Sequence, residues 1–194
     1  GDMWVKASGL AAGKGAVYAP NPDEAEEVLR GMMVDSMFGE SGSEVVIEEN
    51  MHGEEASIFA LCDGAGFRTL VSSQDHKRVF DGDRGANTGG MGAYSPVPMF
   101  SDELYKEILN KVMKRAVEGM KAEGTPYRGA LYAGLMIVDE EPYILEFNCR
   151  FGDPETQPTL MRMKSDLLPY LEASTEGALN SLEPIKWEEG SSVC

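Results

Sequence analysis

Two apolar runs in this chain each double back through a short polar turn, and that restricts the possible folds more than any other feature. Residues 56–61 and 67–71 flank Asp63-Gly64-Ala65-Gly66, a hairpin signal. Residues 129–138 turn through Asp139-Glu140-Glu141-Pro142 into a second strand, 143–148. Strands joined so closely pair antiparallel, because a parallel pair needs a crossover of about a dozen residues or more.

Helices punctuate these strands. Asn21 followed by Pro22, Asp23 and Glu24 is a helix start, with a cap, a proline at the first position and acids in the first turn. Ala25, Val28, Leu29, Met32 and Met33 then form an apolar stripe. Ser101 caps a second helix with the stripe Leu104, Ile108, Val112, Ala116 and Met120, and a last helix over about 165–179 packs Leu167, Leu168, Leu171 and Ala178. Before the first helix, strands are expected at 5–8 and 16–19; after it, Val45-Val46-Ile47 reads as a buried strand running into Glu48-Glu49. Residues 74–98 read as nearly pure loop, and a loop that long inside a compact domain is usually functional or disordered.

Composition narrows the partners. The 194 residues carry 33 Asp and Glu against 17 Lys and Arg, a formal net charge of −16. Such a body repels polyphosphate backbones at long range, so nucleic acid is not expected as a partner. No apolar run approaches the ~20 residues of a membrane helix, so no membrane partner is expected either. Three separated cysteines without a CxxC pair suggest reduced thiols in a cytoplasmic setting, with Cys62 and Cys149 as small core residues and Cys194 as a chain end.

Three stretches carry chemistry. In Ile144-Leu145-Glu146-Phe147-Asn148-Cys149-Arg150-Phe151-Gly152-Asp153-Pro154-Glu155, Glu146 and Asn148 project from one strand face. A carboxylate beside an amide oxygen suits Mg²⁺, which takes one or two carboxylates and completes its shell with water and phosphates. Arg150 continues the alternation and is placed to hold an anion; the alternative is an edge strand with a solvated polar end. The second stretch, Gly9 to Gly15, is not a P-loop: its first spacing is one residue short, and Gly15 stands where the metal-binding hydroxyl belongs. It remains either a phosphate-covering glycine loop or a loose hairpin. In the third, Asp75 to Gly92, the residues His76, Lys77, Arg78 and Arg84 concentrate positive charge near the glycines at 89, 90 and 92. The acids of Glu48-Glu49-Asn50-Met51-His52-Gly53-Glu54-Glu55 are either a solvated connector or a nucleotide-binding hinge.

In this order, VKASGLAAGKG, VVIEE followed by GEEAS, QDHKRVFDGDRGANTGGMGAYSP and YILEFNCRFGDPETQ resemble the ATP-grasp family. Within it they look like the branch that joins glycine to 5-phosphoribosylamine in purine synthesis. The resemblance implies an α+β fold in which two lobes of antiparallel sheet, with helices, clasp ATP. It implies domains at 1–47 (small lobe), 48–52 (hinge), 53–183 (large lobe with the metal site) and 184–194 (start of a link to an absent C-terminal domain). An N-terminal domain is expected to be missing too, leaving a central piece inactive alone.

The implied reaction phosphorylates the glycine carboxylate from ATP with Mg²⁺ or Mn²⁺, and the amine then displaces phosphate. The resemblance assigns Lys6 and the loop Gly13, Lys14 and Gly15 to the ATP phosphates. It assigns Glu48, Glu49, Asn50 and Met51 to the adenine hinge, Glu55 to the ribose, and Arg78 and Asn87 to nucleotide or phosphate contacts. Glu146 and Asn148 become the metal ligands, while Arg150, Asp153 and the Gly89-Gly90 turn line the acceptor side. One departure stands out: many relatives carry a further metal-binding acid on the preceding strand, and residues 130–138 offer none. A non-catalytic nucleotide-binding module, or another ATP-grasp carboxylate–amine ligase, is the alternative reading.

Overall fold

The computed structural model describes residues 1–11, 14–82 and 84–194, the side chains of Ala86 and Asn87 excepted. The chain divides into two compact units, Gly1–His52 and Gly53–Cys194.

The first unit is a three-stranded antiparallel sheet, with β1 (Met3–Ala7) between β2 (Ala16–Ala19) and β3 (Val45–Glu49), and helix α1 (Pro22–Met33). The cap forms as expected: Asn21 Oδ1 accepts from the Glu24 N–H at 3.0 Å. Val5 and Ala19 of the sheet are buried with Ala25 and Met32 of α1. Met33, expected in the same stripe, is 50% exposed, because its neighbour Met32 already faces the sheet. Nor is β3 the buried strand expected. It is an edge strand, and Val46 and Ile47 are 48% and 55% exposed.

The second unit contains, in chain order, β4 (Glu54–Asp63), β5 (Phe67–Thr69), β6 (Gln74–Asp75), β7 (Arg78–Phe80), β8 (Arg84–Asn87), β9 (Ala93–Ser95), α2 (Asp102–Ile108), α3 (Lys114–Ala122), β10 (Arg128–Val138), β11 (Glu141–Asn148), α4 (Thr156–Met161), α5 (Leu168–Glu176) and β12 (Ser192–Val193). Both expected hairpins are present, and they join into one antiparallel sheet ordered β11-β10-β4-β5. Its two middle strands are covered on both faces. Ile58, Ala60, Leu131, Ala133 and Leu135 pack against α2 and α3, while Leu61 on the opposite face meets Tyr170 and Ala173 of α5. Fully burying a side chain of this size contributes about 1.5–3 kcal/mol, so these strands hold the unit together.

Four expectations are corrected here. Residues 74–98 are not pure loop: β6, β7, β8 and β9 lie in them, as short pieces of two to four residues. The helix after Ser101 runs through a π turn, Leu109–Met113, whose extra residue advances the apolar stripe. Met113 and Val117 are therefore buried, while Met120 is 39% exposed. The last helix begins only at Leu168, itself 58% exposed, and α4 precedes it. Residues 184–194 pack onto this unit: Trp187 bridges Met163, and β12 pairs with β9. Cys149, expected in the core, is exposed, whereas Cys62 is buried and its thiol is pushed up to about 12 by that burial.

Candidate functional site

The ladder between β10 and β11 slips by one residue. Leu135 pairs with Ile144, but Gly134 pairs with Glu146, which makes Leu145 the extra residue of a β-bulge. Beyond the bulge Glu146 lies opposite Gly134, and Asn148 lies opposite Tyr132. Across β4 the same face carries Ser57 and Phe59. A Cβ on Gly134 would stand 3.2 Å from Glu146 Cγ and 3.2 Å from Tyr132 Cε1, so the missing side chain gives Glu146 its room. Asn148 Nδ2 donates to Glu146 Oε1 at 3.0 Å.

A cleft of about 110 Å³ opens on this face. The expected residues Glu146, Arg150, Asp153 and Gly89 line it with Lys77 of the expected basic cluster, and so do Asp75, Tyr132 and Glu155, to which the sequence had assigned no role. Its far wall is the turn after β8. Thr88 donates to the Lys77 carbonyl through both N–H (2.7 Å) and Oγ1 (2.8 Å), and the Gly90 N–H donates to Thr88 Oγ1 at 3.0 Å. Gly90 has φ 115°, and a Cβ there would come within 2.5 Å of Pro154 Cδ, so only glycine closes this wall.

The cleft is electrostatically uneven, since four carboxylates (Asp75, Glu146, Asp153, Glu155) face two cations (Lys77, Arg150). Lys77 Nζ also lies 2.7 Å from Glu55 Oε2. Burial opposes the Lys77 charge, but that carboxylate outweighs it and holds the ammonium above the ordinary lysine range. Asp75 is pushed up to about 6, first by burial and then by the Glu155 charge. Burial likewise moves Tyr132 up to about 12, and its hydroxyl accepts from Ser57 Oγ at 2.8 Å. Glu155 is only 4% exposed and takes a long 3.4 Å contact from the same Ser57 hydroxyl. Its burial was not legible from a sequence position that looked like the polar end of a strand.

The donor set fits a hard divalent cation. One carboxylate and one amide on a shared strand face match Mg²⁺, which keeps several waters and draws further oxygens from phosphates. A full protein cage is absent: among the described residues, no cluster of three or more His, Cys, Asp or Glu is disposed to hold a metal.

The other expected residues are placed as follows. Lys6 lies mid-β1 on the sheet face away from α1, its Nζ 2.6 Å from Glu48 Oε2, a diagonal pair between neighbouring strands. Glu48 and Glu49 end β3, and Met51 follows it half-buried. Asn50 is engaged within its own unit, donating to Asp2 Oδ2 at 2.7 Å and accepting from Trp4 Nε1 at 2.9 Å. Lys14 is exposed, and the Gly15 carbonyl accepts from the Ala7 N–H at 2.8 Å. Gly13 lies outside the described residues, as does the side chain of Asn87. The expected basic cluster disperses: Arg78 donates to the Gly85 carbonyl at 2.9 Å, Arg84 to the Asp81 carbonyl at 3.1 Å, and of the group only Lys77 lines the cleft.

An α+β architecture of antiparallel sheets, with a Glu-x-Asn strand facing a glycine-walled acidic cleft, is that of an ATP-grasp domain. Residues 2–156 match the family described as phosphoribosylglycinamide synthetase, ATP-grasp (A) domain, and the chain belongs to that family. It is 50% identical over 190 residues to the phosphoribosylamine–glycine ligase of Caulobacter vibrioides, covering 98% of this chain and 44% of that relative. The ligase of the same name from Vibrio vulnificus is 52% identical, with 97% and 44% covered. A crystal structure of phosphoribosylamine–glycine ligase from Thermotoga maritima superposes with a TM-score of 0.82 at 36% identity, covering 98% of this chain and 48% of that one. The chain thus spans less than half the length of these relatives. No helix among the described residues is long and apolar enough to cross a membrane.

Proposed function

We propose that this chain is the Mg-ATP-binding core of a cytoplasmic ligase that joins glycine to 5-phosphoribosylamine. ATP phosphorylates the glycine carboxylate, and the amine then displaces phosphate from the glycyl phosphate to give glycinamide ribonucleotide. The observation that carries this reading is the charge excess of the cleft around Glu146. A triphosphate does not enter a site with four carboxylates and two cations unless a divalent cation accompanies it. Glu146 and Asn148 would hold that Mg²⁺, with Mn²⁺ as a substitute, and the metal would neutralise the charge on the transferring phosphoryl group. Lys77 and Arg150 are placed to take the anionic oxygens of the acyl phosphate. Lys6, Lys14, Glu49, Met51, Glu55, Arg78 and Asn87 keep the nucleotide-side roles that the resemblance assigns. The division into a small lobe, a hinge at 48–52 and a large lobe is part of the same proposal.

The ligation as a whole is proposed for a polypeptide of the relatives' length, and this chain alone is expected to bind nucleotide with little turnover. Holding the reacting groups in register is worth about 7–11 kcal/mol, which a chain spanning 44% of those relatives is not expected to supply by itself. The test is calorimetric titration of this chain with ATP, with and without Mg²⁺. Glu146→Gln should weaken Mg-ATP binding tenfold or more, about 1.4 kcal/mol, and leave metal-free binding unchanged. Equal Mg-ATP affinity in the variant would refute the metal assignment. Glycine-dependent ADP release by the relatives' length of chain, with bicarbonate inert, separates this reading from a carboxylating ligase.

A further inference from the structure

The segment proposed as the adenine hinge is held by side chains to which no nucleotide-side role falls. Strand β3 is an edge strand, and its pairing with β1 runs from Val45 opposite Ala7 to Glu49 opposite Met3. The last main-chain bond, from the Asn50 N–H to the Asp2 carbonyl, is long at 3.4 Å. The end of an edge strand with so little main-chain support opens readily. Here side chains continue where the ladder gives out. Asn50 Nδ2 donates to Asp2 Oδ2 at 2.7 Å, and Asn50 Oδ1 accepts from the Trp4 indole N–H at 2.9 Å. The Tyr18 hydroxyl donates to the same Asp2 oxygen at 3.1 Å, which brings β2 into the network.

One carboxylate thus ties together the start of β1, the end of β2 and the end of β3. The Asn50 bond does most to keep the Asp2 carboxyl below its ordinary range, against the opposing effect of burial. Trp4 is fixed as well, because Tyr18 stands edge-on to it with ring centroids 5.6 Å apart and planes inclined by 61°. His52 Nε2 lies 3.6 Å from Asp2 Oδ2, but its side chain is 80% exposed and adds little. The Asn50 amide is engaged through both its oxygen and its nitrogen. Its part in a nucleotide site therefore lies in where it holds the backbone, not in touching the ligand.

We infer that Asp2 and Trp4 are positioning residues for base recognition: by clamping Asn50 they hold the main chain of residues 49–51 in the one arrangement that matches the adenine edge. Adenine and hypoxanthine have nearly the same shape and opposite polarity. Adenine offers an exocyclic amino donor and a ring-nitrogen acceptor where hypoxanthine offers a carbonyl acceptor and a ring N–H donor. A fixed main chain cannot turn its N–H and C=O groups to suit hypoxanthine, whereas a frayed one can. The inference rests on the reading of residues 48–52 as the adenine hinge.

The test is calorimetric titration of this chain with Mg-ATP and with Mg-ITP, whose base is hypoxanthine. Wild-type protein should bind ATP at least about tenfold more tightly than ITP. Asp2→Ala should weaken ATP about tenfold, the equivalent of about 1.4 kcal/mol, and leave ITP within about twofold, so that the preference collapses. Asp2→Asn keeps an acceptor for Asn50 and should restore the preference. Trp4→Phe keeps a ring against Tyr18 and removes the donor, so it should move the ratio in the same direction by a smaller amount. A merely structural role would weaken both nucleotides alike. No preference for ATP in wild-type protein, an unchanged preference in Asp2→Ala, or an equal loss for both nucleotides would each overturn the clamp. Where Asp2→Ala unfolds, the Trp4→Phe ratio decides in its place. Failure of wild-type protein to bind Mg-ATP at all would instead overturn the functional reading beneath it.

Discussion

Removing the Asp63 carboxylate should unlock the second unit at a defined point. Asp63 ends β4 and is 1% exposed. Its Oδ1 accepts from the N–H groups of Ala65 at 2.9 Å and Gly66 at 2.8 Å, and its Oδ2 accepts from the Leu179 N–H at 3.0 Å. One side chain thus closes the β4–β5 turn and pins the segment after α5 to the sheet. Burial works to raise its pKa, but these three donors, with Arg128 nearby, outweigh it and hold the carboxyl below its usual range. Each hydrogen bond to a charged group is worth about 1.5–3 kcal/mol, although bonds sharing one acceptor do not add fully. The turn N–H groups of Ala65 and Gly66 regain water on truncation, whereas the Leu179 N–H stays buried and unpaired. Asp63→Ala should therefore cost about 3–4 kcal/mol, a large part of the roughly 5–15 kcal/mol of a typical domain. Asp63→Asn, which keeps one acceptor but presents a donor to Leu179, should fall in between. Because the native pKa lies below the unfolded value, the stabilisation is present above pH ~4 and is lost as pH falls through the native pKa. Urea unfolding followed by circular dichroism measures all three. A loss under about 1 kcal/mol for Asp63→Ala, or a deficit that does not shrink in acid, would refute the clamp.

The π turn predicts opposite outcomes for two nearby positions. Val117→Ser should cost about 1–3 kcal/mol because Val117 is 3% exposed, whereas Met120→Ser should stay within about 0.5 kcal/mol, as thermal melting of the pair would show. Asp75 should impose a pH slope of the other sign. Its native pKa of about 6 exceeds the unfolded value of 3.8, so the native state binds more protons between them and stability falls as pH rises from about 4 to 6. Asp75→Asn should flatten that part of the profile in urea titrations at stepped pH.

Local chemistry was legible where a single side chain decides the outcome. The caps at Asn21 and Ser101 accept from Glu24 and Leu104, as their residue types require. The two hairpins follow from turn residues, although the second is tighter than expected: Asp139 and Glu140 both take positive φ in a two-residue loop. Strands β6 to β9 escaped notice because two to four residues carry no measurable alternation, and β6 and β9 are paired by partners distant in sequence, although β7 and β8 pair with each other locally. Within the candidate site, Glu146, Arg150 and Asp153 were legible as a polar run ending an apolar strand. Asp75 and Glu155 were not, because their importance comes from burial against each other's charge, and nothing local encodes burial.

The unpaired Leu145 decides where the polar end of its strand comes to rest. With continuous pairing, Glu146 would sit opposite Ala133 and Asn148 opposite Leu131, both of which belong to the oily layer under α2 and α3. A carboxylate and an amide would then be driven into hydrocarbon, and the acidic pocket would lose its centre. Deleting Leu145 would close the bulge and keep Glu146 opposite Gly134, whereas inserting a residue that pairs beside it would invert the orientation of everything downstream. What matters at this point of the strand is that Leu145 stays out of the ladder, not which aliphatic side chain it carries.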